Sequence, residues 1–209
     1  MARKYRPTDE TIATILRTAE AAFREAGYAK TTIAEIAARC DMSPGNVYRV
    51  FLNKQDIAEA ILKRHFDDFL ERAEGFWGKP EPISARLPGF MSDYMDFFDA
   101  ERDPFLFELL RMAALGQWGV WEHITDTVRL ALRMAMQSFP GPRYRFAQET
   151  AELTDALFRT LLPFLHPVLL EGEHRPSLKR EHAILCRLVE AALQQQQVRT
   201  GNSVALTEL

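Results

Sequence analysis

Two closely spaced helix-start signals constrain this chain more than anything else in it. Thr32-Ile33-Ala34-Glu35 has the pattern of a capping box, in which the Thr32 hydroxyl accepts from the Glu35 amide while Glu35 reaches back. Ser43-Pro44 starts a second helix, with Ser as N-cap and Pro at the first helical position. Between the two lies only Cys40-Asp41-Met42. A link so short permits nothing but a tight turn, so the helices cross steeply, and Ala37 is small where they approach. This is the geometry of a helix-turn-helix.

The second helix reads Ser43-Pro44-Gly45-Asn46-Val47-Tyr48-Arg49-Val50-Phe51. Val47 and Phe51 are four apart and face inward, which turns Gly45, Asn46, Tyr48 and Arg49 outward. Gly45 is a poor helix former, so its presence points to a close approach by something outside the helix. In such motifs the second helix enters the DNA major groove. Asn46 and Arg49 are suited to base edges and Tyr48 to a phosphate. Lys54 sits in the first turn of the next helix, where the macrodipole disfavours a cation and a nearby phosphate would offset the cost. The helix start at Thr32 is a second place where amides and a hydroxyl suit a phosphate.

The rest of the chain predicts helices throughout, with no strand pattern. Ile12, Ile15, Leu16, Ala19, Phe23 and Ala26 form one stripe that stops at Gly27. Ile33, Ile36, Ala37 and Cys40 form a second. A longer helix over 53–76 carries Ile57, Ile61, Leu62, Phe66, Phe69 and Ala73 on its inner side. Gly78-Lys79-Pro80-Glu81-Pro82 reads as a linker. Further breaks fall at Pro104, from Gly116 to Gly119, at Pro140-Gly141-Pro142, and between Gly172 and Pro176. The expected organisation is a DNA-binding domain over 1–54 with its connecting helix, a second domain over 77–198, and a disordered tail over 199–209.

Charge and composition agree with that division. Residues 1–65 hold 11 Lys/Arg against 8 Asp/Glu, whereas the remainder holds 15 against 21. A basic excess matters here because it coincides with the nucleic-acid motif. No apolar run reaches the length of a membrane span, and the basic Met1-to-Pro7 start lacks the apolar stretch of a secretory signal. Cys40 and Cys186 are far apart in helical patterns, which argues against a disulfide framework or zinc site and fits a reducing cytoplasm. His65, His123, His166, His174 and His182 show no ligand spacing, so neither metal nor cofactor is expected. No nucleophile–base arrangement or Gly-rich phosphate loop stands out, and the chain is not expected to be an enzyme.

The stretch Gly27-Tyr28, Thr31 to Ala37 and Ser43 to Lys54 resembles the N-terminal signature of the TetR family of repressors. The likeness covers residues 8–65. Cys40, Asp41 and Met42 depart from its usual turn, though Asp tolerates a left-handed backbone. Val50 stands where His or Tyr is frequent, which removes one phosphate contact. The resemblance implies an all-α homodimer: an N-terminal three-helix helix-turn-helix domain and a C-terminal helical bundle that binds a ligand and dimerises.

On that expectation, Tyr94, Phe98, Trp118 and Trp121 are candidates to line an effector cavity. The dimer's four-helix bundle would use Leu153, Leu157, Leu161 and Phe164 with Leu185, Leu188, Val189 and Ala192. The expected DNA-contacting set is Thr32, Ser43, Pro44, Gly45, Asn46, Tyr48, Arg49 and Lys54. The function expected is a sequence-specific repressor of an inverted-repeat operator, released by a small-molecule effector. One alternative is control by a protein partner without an effector, and a more remote one is a small-molecule carrier or enzyme. Arg3, Lys4 and Arg6 read equally as a minor-groove arm or a plain basic tail.

Overall fold

The computed structural model describes residues 8–77, 83–97, 103–116, 118–137, 155–156, 158–160, 184 and 187. Every regular element among them is an α-helix: α1 (Asp9–Ala26), α2 (Ile33–Arg39), α3 (Pro44–Tyr48), α4 (Lys54–Trp77), α5 (Ile83–Phe97), α6 (Pro104–Leu115) and α7 (Gly119–Gln137). Two compact units emerge, one within Met1–Asp67 and Ala100–Trp121, the other within Asp68–Asp99 and Glu122–Leu209.

The first unit is closed by apolar faces at helical spacing. Ile15, Leu16, Ala19, Ala22 and Phe23 of α1 are buried, as are Ile33, Ile36 and Ala37 of α2, Val47 of α3, and Ile57, Ala58, Ile61, Leu62 and Phe66 of α4. Cys40, expected inward, is only half-buried, because it caps the end of α2. Thr8 caps α1 by accepting from the Thr11 amide, and Asp9 and Glu10 complement the positive end of the helix dipole. Gly27 ends α1 at φ 87°, a backbone that favours glycine.

A charged cluster ties this unit together. Glu20 accepts from Arg24 at 2.9 Å, from His65 Nε2 at 2.9 Å, and from Arg64. The bond from His65, opposed by partial burial and joined by Arg24, holds the Glu20 carboxyl down at about 2. Arg24 also grips Asp103 through two parallel bonds of 2.9 Å and lies over the Phe105 ring at 4.4 Å. Asp103 is itself the N-cap of α6, accepting from the Leu106 amide at 3.0 Å. On α4, Glu59 accepts from the Val120 amide at 2.9 Å. Both ends of the 103–120 segment are therefore pinned to the helices that carry the helix-turn-helix.

In the second unit, Phe69 gathers Phe90, Tyr94 and Phe97 at ring separations of 5.9, 5.9 and 5.1 Å. Phe90 and Tyr94 stand four apart on α5, with Arg86 buried one turn earlier on the same face. Val128 and Leu132 of α7 and Phe158 are also buried, and Arg129 lies 4.7 Å over the Phe158 ring. No described helix is long and apolar enough to cross a membrane.

Candidate nucleic-acid interface

The turn between α2 and α3 is a Schellman motif. Met42 N–H donates to the Ala37 carbonyl at 2.9 Å and Asp41 N–H to that of Ala38 at 3.2 Å. Asp41 takes the left-handed position at φ 54°, as its tolerance for that backbone predicts. Cys40-Asp41-Met42 therefore makes a well-formed turn despite departing from the common residues.

The two caps flanking it differ from expectation in detail. Thr32 accepts from the Glu35 amide at 3.2 Å, but the Glu35 carboxylate does not complete the box. It accepts from Arg39, one turn on, at 3.1 Å, and Arg39 also reaches Glu25 at 2.6 Å. A charged partner one turn on outcompetes a neutral amide for the Glu35 carboxylate. Ser43 sits at the N-cap with extended backbone, yet its hydroxyl makes no capping bond, and the Asn46 amide donates to the Ser43 carbonyl at 2.9 Å. Pro44 occupies the first helical position.

Around α3, Val47 is fully buried and Phe51 nearly so, which leaves Ser43, Pro44, Gly45, Tyr48 and Arg49 exposed and Asn46 half-exposed. Arg49 Nη1 lies 3.5 Å from Asn46 Oδ1, which brings the two candidate base readers side by side. Nothing inside the chain requires glycine at 45: an added Cβ would meet only Ser43 Oγ, at 3.9 Å. Tyr48 and Leu52 are large apolar side chains exposed at the same end of the motif, 51% and 81%.

Lys54 has partners that the sequence did not disclose. Its ammonium donates to the carbonyls of Tyr28, Thr31 and Ala29 at 2.6, 2.8 and 3.2 Å, and sits 4.4 Å over the Tyr28 ring. Burial lowers its pKa from the usual lysine value. The carbonyl oxygens supply the negative partial charge that a cation at a helix start needs, so a phosphate is not required to explain Lys54. The start of α4 holds a further cap that sequence reading missed. Asn53 accepts from the Asp56 amide and Asp56 from the Leu52 amide, both at 2.9 Å. The Asn-x-x-Asp spacing was its available signal.

Of the expected cavity residues, Tyr94 belongs to the second unit and is fully buried in the ring cluster, which raises its pKa well above the usual tyrosine value. Trp118 and Trp121 belong to the first unit. Trp118 packs at 6.0 Å from Tyr28 and closes over Gly116, where an added Cβ would lie 2.7 Å from the indole nitrogen. Phe98 lies outside the described residues, as do Leu153, Leu157, Leu161, Phe164, Leu185, Leu188, Val189 and Ala192. Among the described residues, no group of three or more His, Cys, Asp or Glu side chains could hold a metal ion.

The family model for bacterial regulatory proteins, tetR family, matches residues 15–61, the segment that holds this interface. The HTH-type transcriptional regulator TtgR of Pseudomonas putida is 34% identical over 83 residues, 39% of this chain and 40% of that protein. The regulator YvkB of Bacillus subtilis is 37% identical over 73 residues, 34% of this chain and 37% of its own. The matched stretch thus spans about 40% of the length of these relatives. Two solved structures share the fold over most of the chain. SmeT, repressor of the Stenotrophomonas maltophilia multidrug efflux pump SmeDEF, superposes with TM-score 0.61 at 24% identity, covering 90% of this chain and 92% of its own. A TetR/AcrR-family regulator from Thermobifida fusca superposes with TM-score 0.59 at 19% identity, covering 86% and 96%. Over the helix-turn-helix segment, residues 15–61, the chain matches the tetR family of bacterial regulatory proteins and is similar to HTH-type transcriptional regulators.

Proposed function

We propose that the chain is a homodimeric repressor that reads an inverted-repeat operator with α3 and is released by a small molecule bound in the second unit. The observation that carries the DNA-reading part is the outward face of α3. Asn46 and Arg49 stand side by side there, and Tyr48 is exposed on the same short helix. Beside them Gly45 has no internal reason to be glycine. Asn and Arg make bidentate contacts to adenine and guanine edges in the major groove, and Tyr48 suits the backbone. A glycine lets a phosphate come close to the helix. Thr32, Ser43 and Pro44 complete the face that would lie along the DNA.

One short reader holds a half-site weakly, and two linked readers gain through effective concentration. The stripes from Leu153 to Phe164 and from Leu185 to Ala192 are our choice for the dimer contact. For the effector wall we choose Tyr94 and its ring partners Phe69, Phe90 and Phe97, with Phe98 as a further candidate; Trp118 and Trp121, in the first unit, are not part of this choice. Effector binding would shift α4 and so change how the two readers are spaced. By linkage, the operator must weaken effector binding by the same factor by which effector weakens operator binding.

The test is selection from a random DNA library with the purified full chain. The expected outcome is enrichment of an inverted repeat whose half-sites lie about 34–36 Å apart, or a multiple of that, with steep salt dependence. A chain that enriches no sequence sinks the reading. Native mass spectrometry of the same preparation, with added candidate ligands, checks for a dimer and for a retained small molecule.

A further inference from the structure

We propose that Lys54 is a positioning residue for DNA recognition, holding the turn from Tyr28 to Thr31, and with it the start of α2, in the pose that the reader needs. This rests on the DNA-binding reading above and departs from the role of phosphate contact that the sequence suggests for Lys54.

The geometry accounts for every donor on the side chain. A lysine ammonium has three N–H groups and no acceptor. Here three carbonyls, of Tyr28, Ala29 and Thr31, lie within 3.2 Å of it. The contacts span 23 to 26 residues of sequence, so they tie the first turn of α4 to the segment joining α1 to α2. That segment is fixed from the other side too. Thr31 is fully buried, its amide donates to the Gly27 carbonyl at 3.2 Å, and its hydroxyl lies 3.0 Å from the same oxygen and 3.3 Å from that of Ala22. The next residue, Thr32, caps α2. α2 carries α3 through the Schellman turn and through buried Ile36, Ala37 and Val47. A change in the Tyr28–Thr31 turn therefore tilts the α2–α3 pair as one body.

Tyr28 extends the hold. Its ring carries the Lys54 ammonium at 4.4 Å, meets Phe23 edge-on at 5.3 Å, and packs against Trp118 at 6.0 Å. Trp118 belongs to the turn between α6 and α7, with its amide donating to the Ala113 carbonyl at 2.9 Å. A cation held against an aromatic ring is stabilised by the ring quadrupole. Removing the indole leaves Tyr28 room to move away from Lys54 and loosens the carbonyl contacts at second hand.

Two measurements on the full chain decide the matter. The first is hydrogen exchange without DNA on wild type, Lys54→Met and Trp118→Leu. The expected result is faster exchange, by about tenfold as for a lost charged hydrogen bond, confined to residues 27–36. Exchange in the buried core of α1 stays unchanged. A rise of equal size throughout the unit marks both side chains as general packing and overturns the proposal, as does no rise at all in Lys54→Met. The second is affinity for the sequence that wild type selects, measured across a salt series. Lys54→Met is expected to bind more weakly with the slope of log K against log salt unchanged. A direct phosphate contact from each protomer would instead lower that slope by about 2 per dimer, which overturns the proposal. Failure of wild type to select any sequence would sink the DNA-binding reading, and the exchange experiment would still decide whether Lys54 holds the turn.

Discussion

Replacing Glu20 with glutamine removes one carboxylate that Arg24, Arg64 and His65 share, with almost no change in shape. The fall of the Glu20 carboxyl from 4.5 to about 2 corresponds to roughly 3 kcal/mol between its two protonation states. Glu20 itself is 15% exposed, but Arg24 and Arg64 are 38% and 37% exposed, so solvent screening reduces the contribution to about 1–2 kcal/mol. The direction with pH follows from linkage. A carboxyl whose folded value lies below its unfolded value adds stability that is fully present above about 4.5 and is lost as pH falls toward about 2. Glu20→Gln should therefore unfold at lower denaturant at pH 7, and its deficit against wild type should shrink as both are taken from pH 5 to pH 3. Taking the difference between the two proteins cancels the other carboxylates, Asp103 included. Urea unfolding at fixed protein concentration provides the measurement. A variant as stable as wild type at pH 7, or a deficit that is the same at pH 7 and pH 3, would refute the assignment.

Other outcomes follow from single contacts. Asp103→Ala should cost about 1–2 kcal/mol, because it removes both the α6 cap and the partner of Arg24. Combined with Arg24→Ala in a double-mutant cycle it should show a coupling of about 0.5–1 kcal/mol, and strictly additive losses would deny the link. Gly116→Ala should destabilise by about 1–3 kcal/mol, since its methyl would meet the Trp118 indole at 2.7 Å and the Met112 carbonyl at 2.9 Å. A thermal midpoint equal to that of wild type would contradict this. Gly45→Ala should leave stability unchanged or raise it by up to about 1 kcal/mol, as alanine does in an open helical site, while weakening operator binding. Undiminished binding would remove Gly45 from the interface.

The parts of the motif that the sequence displayed are local ones. Thr32 and Ser43-Pro44 mark the helix starts because capping is decided within a few residues. Asp41 marks the turn because left-handed backbone is tolerated by few side chains. Val47 and Phe51 mark the inner face through their spacing. What stayed hidden is non-local or competitive. Lys54 reads as an exposed cation until the carbonyls it serves, 23 to 26 residues earlier, are brought to it. Arg24 and Asp103 are 79 residues apart, and nothing in either neighbourhood announces the pair. Glu35 fits a capping box, but a salt bridge to Arg39 fits it equally well, and charge decided between them. Trp118 showed as an aromatic beside a glycine break, a pattern that does not say which ring it will meet.

The central claim is that α3 reads base sequence through Asn46 and Arg49. Its most direct test is to repeat the random-library selection with Arg49→Ala and with Asn46→Ala and compare base preference, position by position, with that of wild type. Each variant should lose preference at one or two symmetry-related positions, at about 1–3 kcal/mol per lost bidentate contact, and keep it elsewhere. Variants that bind all sequences more weakly but keep the wild-type preference intact would contradict the claim and assign both side chains to the DNA backbone.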